Sequence, residues 1–170
     1  MKSLLQLSKK IINFNQLKNF SRLKLKDKIL IFQVFILTAV IRSAILIIPF
    51  KNLRKYMGEL NRESSFNLKN SEYKIAQRIS WIVNKVSKYT PWESKCLVQA
   101  LTAQYLLSRE HIQNTLYLGV SKQNNIIIKN TESKHEKKSK LVAHSWIRCG
   151  RYYVTGGNGI GFAVVAKFSK

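Results

Sequence analysis

The residues best suited to covalent chemistry stand in the order nucleophile, then base. Cys96 falls where a helix should begin: Pro91 breaks the preceding segment, and CLVQALTAQYLLSRE, 96–110, is apolar around most of a helical circumference. The amino end of a helix carries roughly half a positive charge, which favours a thiolate there, and Lys95 acts in the same direction. His144 lies in VAHSWIRC, 142–149, which reads as a strand, so Trp146 shares its face. A helix-start cysteine followed by a strand histidine suits a thiol nucleophile paired with an imidazole base. Cys96 would attack and His144 would carry the proton. Each also has a plainer reading, as a buried structural cysteine and as a packed strand histidine. Cys149 reads as a passive strand cysteine, and His135 as solvated.

Composition narrows the chemistry further. The 170 residues hold 30 Lys plus Arg against 8 Asp plus Glu, a formal net charge of +22. Nothing acidic follows Glu136. That excludes paired carboxylates in the C-terminal part, Asp-rich Mg²⁺ or Ca²⁺ cages and EF-hand loops. Cys96, Cys149 and the three histidines lack metal-ligand spacing. The run Gly156, Gly157, Gly159, Gly161 lacks the helix and Lys-Ser/Thr of a phosphate loop. No metal or other cofactor is expected. The basic residues are scattered, with no zinc-finger or RNP pattern, so nucleic acid is not an expected partner. Acidic peptides, anionic lipids or a negatively charged protein suit the charge better. Two cysteines make a poor disulfide framework, and a reducing cytoplasm is the expected location.

The elements that must position these residues follow from periodicity. Residues 1–60 read as a basic N-terminal region with a hydrophobic helix over 29–48, and 61–170 as the catalytic domain. Ile29–Phe50 is long enough to cross a bilayer, which takes roughly 20 apolar residues. Arg42 inside it is costly at mid-span, so a helix packed on the domain, on a partner or flat on a membrane surface is expected. Leu53–Met57 forms a short turn, and 61–70 a polar connector. Ser71 opens a helix of 3.6-residue periodicity that ends near Tyr89, and Glu93 is placed to cap the central helix. Strands are expected over 115–121, 126–129, 142–149, 152–155 and 162–168, with a charged loop over 130–140. Turns are expected at Asn124-Asn125 and Cys149-Gly150-Arg151. The fold class is α+β: N-terminal helices, then a central cysteine-bearing helix packed on an antiparallel sheet.

Four blocks carry a family resemblance. They are Ser94-x-Cys96-Leu97 with Ala100, Leu106 and Leu107; LYLGV, 116–120; AHSWI, 143–147; and VTGG, 154–157. In this order they resemble lasso-peptide leader peptidases, the microcin-processing proteins with a transglutaminase-like, papain-related fold. The basic and apolar helical start, residues 23–57, is similar too. The resemblance implies a cysteine peptidase that removes the leader from a ribosomally made precursor peptide. It also implies a separate leader-binding protein and an ATP-dependent lasso cyclase as partners. The chain shows no evident leader-binding module, so the separate protease half of the split system is the expectation. Such peptidases carry an Asp beyond the histidine, and here that position has no carboxylate to fill it. Asn158, in TGGNG, is the best replacement, since its side chain can accept the imidazole N–H. A backbone carbonyl or an unaided dyad are the alternatives. A transglutaminase-like acyl transferase and a non-catalytic basic binding or scaffold protein are the rival functions.

Overall fold

The computed structural model describes residues 25–124 and 139–170. The apolar run forms helix α1, Leu25–Ile47, which by length and composition alone could cross a membrane. One side of it packs along helices α3, Asn70–Ser87, and α4, Cys96–Arg109. Between α1 and α3 lie a short helix α2, Phe50–Leu53, one 3₁₀ turn, Arg54–Tyr56, and strand β1, Glu59–Leu60. Helix α3 starts at Asn70 rather than Ser71, where the Lys69 N–H donates to Glu72 Oε2 at 2.9 Å. Its periodic face, Ala76, Ile79, Ile82, Val83 and Val86, is buried as the spacing requires.

Helix α4 is the central helix, with Val98, Ala100, Ala103, Leu106 and Leu107 buried. It stops at a left-handed His111 (φ 55°), where the Ile112 N–H closes back on the Leu107 carbonyl at 2.9 Å. The chain then enters the sheet: β2, Thr115–Asn124; β3, Ser139–Cys149; β4, Tyr152–Thr155; β5, Ala163–Ser169. All pairings are antiparallel, in the order β1-β5-β2-β3-β4. β2 continues past Ser121 to Asn124 and pairs with β3 along its length. The expected strand 126–129, most of the 130–140 loop with His135, and the basic residues before Leu25 lie outside the described residues.

Register assigns the two sheet faces. Leu116 pairs with Ile147, and both join Cys149, Val154 and Phe168 in the core against the helices. Thr115, Tyr117 and Gly119 pair with Arg148, Trp146 and His144, which therefore share the opposite face. A second, thinner layer covers that face. Arg148 is buried in it: Nε donates to Tyr117 Oη at 3.0 Å, Nη2 to the Ser64 carbonyl at 3.0 Å, and the guanidinium lies 3.9 Å from the Phe66 ring centre. Glu63 supplies the counter-charge, 3.5 Å from Arg148 and 2.9 Å from Lys167 Nζ.

The Glu63 carboxyl is held below the ordinary carboxylate range. The hydrogen bond from Lys167 acts most, burial opposes it, and the Lys167 and Arg148 charges lower it further. A depressed folded-state value contributes stability above the unfolded carboxylate's pKa, about 4.3, and loses it as pH falls through the folded value. Glu63→Gln should therefore cost about 1 kcal/mol at pH 7. In urea titrations the gap to the parent should close as the pH falls below about 4.

Candidate active site

Cys96 is the first residue of α4, partly exposed, and its thiol sits where the helix leaves its N–H groups unpaired. What fixes this point is the turn before it. Thr90 Oγ1 lies 2.8 Å from Ser94 Oγ and 3.1 Å from the Trp92 carbonyl, and Gln99 Nε2 donates to the Ser94 carbonyl at 2.7 Å. From outside, α1 holds the same turn. The Phe35 ring packs on Trp92 at 4.9 Å, and Trp92 Nε1 donates to Thr38 Oγ1 at 3.3 Å. Arg42 reaches Glu93 at 3.1 Å. That pair accounts for a charge inside an apolar stretch. Glu93 does not cap α4: its Oε2 is shared between Arg42 and Lys95 Nζ, each at 3.1 Å.

His144 is partly buried in the middle of β3, across from Gly119. Its Nε2 lies 2.7 Å from the Gly156 carbonyl oxygen. A carbonyl only accepts, so Nε2 carries the proton, and in the neutral ring Nδ1 is the basic nitrogen. The ring packs on Trp146 at 5.8 Å and on Phe162 at 4.9 Å between centroids. Trp146 is buried, stacked on Tyr117 at 5.5 Å, so it serves both as packing and as a wall beside the imidazole. Gly156, Gly157, Gly159 and Gly161 all have positive φ, which folds residues 156–162 over this face.

The structure gives the imidazole a backbone carbonyl where Asn158 was the expected partner. Asn158 Oδ1 accepts instead from the Ile160 N–H at 3.2 Å, within its own turn. Cys96 and His144 are not joined by a hydrogen bond among the described residues, and His144 points to the sheet face away from the helices. Gln104, a possible oxyanion donor by type, is committed to the Met57 carbonyl at 2.9 Å. Among the described residues no His, Cys, Asp and Glu group could hold a metal ion. The sequence allows a backbone carbonyl as the alternative partner but cannot identify it as Gly156, since a backbone acceptor has no side-chain signature; Phe162 is missed in an unremarkable apolar strand.

The two cysteines differ in reactivity by position. Cys149 is fully buried, and burial pushes its thiol up to about 12, against a smaller opposing pull from Arg148. Iodoacetamide should therefore modify one thiol per native chain and two after unfolding, with none on native Cys96→Ala. Mass spectrometry counts the adducts. The glycine loop gives a second test. A Cβ on Gly159 would lie 2.4 Å from Trp146 Cζ2, whereas one on Gly157 meets nothing within 4 Å. Gly159→Ala should cost about 2–3 kcal/mol and Gly157→Ala about 1 kcal/mol, read from denaturation followed by tryptophan fluorescence.

No curated protein and no solved structure matches the chain. The sequence model of the transglutaminase-like superfamily, however, matches residues 44–167, from the end of α1 to the end of β5. A cysteine opening the central helix, ahead of an antiparallel sheet, agrees with that match: the chain belongs to the transglutaminase-like superfamily.

Proposed function

We propose that this protein is a cysteine endopeptidase that removes the leader from a lasso-peptide precursor in the cytoplasm. A leader-binding protein would present the substrate, and an ATP-dependent cyclase would take the product. The observation that carries the reading is Cys96 at the start of α4 in a chain of this superfamily. The His144 tautomer supports it, because an imidazole donating through Nε2 keeps Nδ1 free to accept a thiol proton.

In this reading the thiol proton passes to His144 Nδ1 and the Cys96 sulfur attacks the scissile carbonyl. The tetrahedral intermediate collapses as the imidazolium returns its proton to the leaving amine. Water then hydrolyses the thioester, with His144 again acting as base. The Cys96 backbone N–H, unpaired at the helix start, would contribute to oxyanion stabilisation. The thiol and imidazole would have to meet in the substrate complex, and this requires a rearrangement that brings the His144 ring round from the sheet face it occupies here. The Gly156 carbonyl orients the ring in place of the carboxylate.

A second reading is favoured by the face on which His144 stands and by its lack of a carboxylate partner among the described residues: a member that keeps the fold, has lost the chemistry and scaffolds its partners. Acyl transfer to an amine is the third outcome of the same chemistry. One experiment separates them. The precursor is incubated with the protein and its partner proteins and followed by mass spectrometry. Peptidase action gives a free leader, acyl transfer gives a cross-linked or transferred product, and the scaffold gives neither. Cys96→Ala and His144→Ala should each lower cleavage at least about a thousand-fold with the fold intact. Cleavage at the parent rate by either variant overturns the reading. Asn158→Ala should stay within about threefold, whereas a loss near that of His144→Ala would return the orienting role to Asn158.

A further inference from the structure

Helix α1 is apolar nearly all round, and only one of its faces is used by the fold. The inner face is buried at Val34 and Thr38 and tied down along its length. Asp27 pairs with Arg78 near the start, Phe35 and Thr38 hold Trp92 in the middle, and Arg42 pairs with Glu93 further on. The outer face presents Leu25, Ile29, Phe32, Ile36, Val40 and Ile47 to solvent, Phe32 at 67 % and Ile47 at 79 % exposure. The spacing of these residues, three, four or seven apart, makes one continuous stripe. An exposed apolar stripe of this length on a chain of this size marks an interaction surface.

We propose that this face of α1 docks on an anionic membrane surface, with the helix lying in the plane of the interface. Charge selects this occupant. Lys26 at one end, and Lys51, Arg54 and Lys55 just beyond the other, are exposed. Basic residues at the ends of an apolar helix face are what an anionic lipid surface attracts. Phe50 and Tyr56, just beyond the helix, are exposed aromatic rings of a kind suited to the headgroup region. A second copy of this chain is disfavoured, because two molecules of formal charge +22 repel. A transmembrane orientation is disfavoured too. It would pull α1 from Arg78, Trp92 and Glu93 and leave Arg42 in hydrocarbon. A helix held on one side by the domain lies on a bilayer rather than across it.

The inference is independent of the peptidase reading, and Cys96→Ala should bind like the parent. The full chain is floated with phosphatidylcholine vesicles and with vesicles in which a quarter of the lipid is phosphatidylglycerol, at low and high salt. The parent should float with the anionic vesicles, less so at high salt. The triple variant Phe32→Glu, Ile36→Glu, Val40→Glu should bind at least about tenfold more weakly while keeping the parent's circular dichroism and melting temperature. These positions face solvent, so the fold should survive; if the triple variant unfolds, Val40→Glu alone is expected to give a measurable part of the loss. The proposal is overturned if the parent floats with neither vesicle, or if the acidic variants float as well as the parent. It is also overturned if the parent ignores vesicles and sediments as a dimer that the triple variant dissolves.

Discussion

The start of α4 is fixed by a clamp that is not part of the helix. Trp92 and Glu93 lie just before Cys96, and both are held by α1, through the Phe35 ring, the Thr38 hydroxyl and the Arg42 guanidinium. A helix N-terminus is ordinarily free to fray, because its first N–H groups have no internal partners. Here the preceding turn is held from within by Thr90, Ser94 and Gln99, and from outside by α1. The position of the thiol therefore depends on a helix remote in sequence. The same dependence explains why α1 is pinned through polar contacts as well as packing: a sliding apolar contact would not set the rotation of the turn.

Scarcity of carboxylates shapes what remains. Among the described residues Asp27 pairs with Arg78, Glu59 with Arg62, Glu63 with Arg148 and Lys167, and Glu93 with Arg42 and Lys95, while Glu72 accepts the Lys69 N–H. Three of these join segments far apart in sequence: α1 to α3, α1 to the cysteine turn, and the connector after β1 to the sheet. In a chain with 30 basic side chains, these three acids act as ties between elements rather than as surface charges. Among the described residues none lies beside His144, and the imidazole takes a main-chain partner.

Much of the fold was legible in the sequence because it rests on periodicity. The α3 face, the buried circumference of α4 and the alternation of β3 all follow from where apolar residues recur. Arg42 was legible as an obstacle to spanning a membrane; that it pairs with Glu93 was not, since nothing local links positions so far apart. The same holds for Glu93, whose place before a helix suggests a cap until a distant arginine claims it. At the site, the types Cys96 and His144 could be read, but their surroundings could not. Strand alternation puts Trp146 with His144, whereas the glycine loop that covers both depends on left-handed backbone at four positions. Composition alone gives that run several meanings.

The carbonyl at Gly156 does part of what a carboxylate would do, and the difference is physical. Either acceptor fixes the proton on Nε2 and so leaves Nδ1 as the base. Only the carboxylate adds a full opposing charge when the ring becomes an imidazolium. The carbonyl offers a dipole, aimed by a backbone that the Trp146 side chain constrains closely: a Cβ on Gly156 would sit 2.8 Å from Trp146 Cβ. Orientation is thus preserved by packing while charge stabilisation is reduced. Trp146 and Phe162 also pack against the ring, which stays partly exposed. If His144 serves as the proposed base, such a site would rely on geometry where a carboxylate triad relies on charge, and the tight glycine–tryptophan contacts would be the structural counterpart of that exchange.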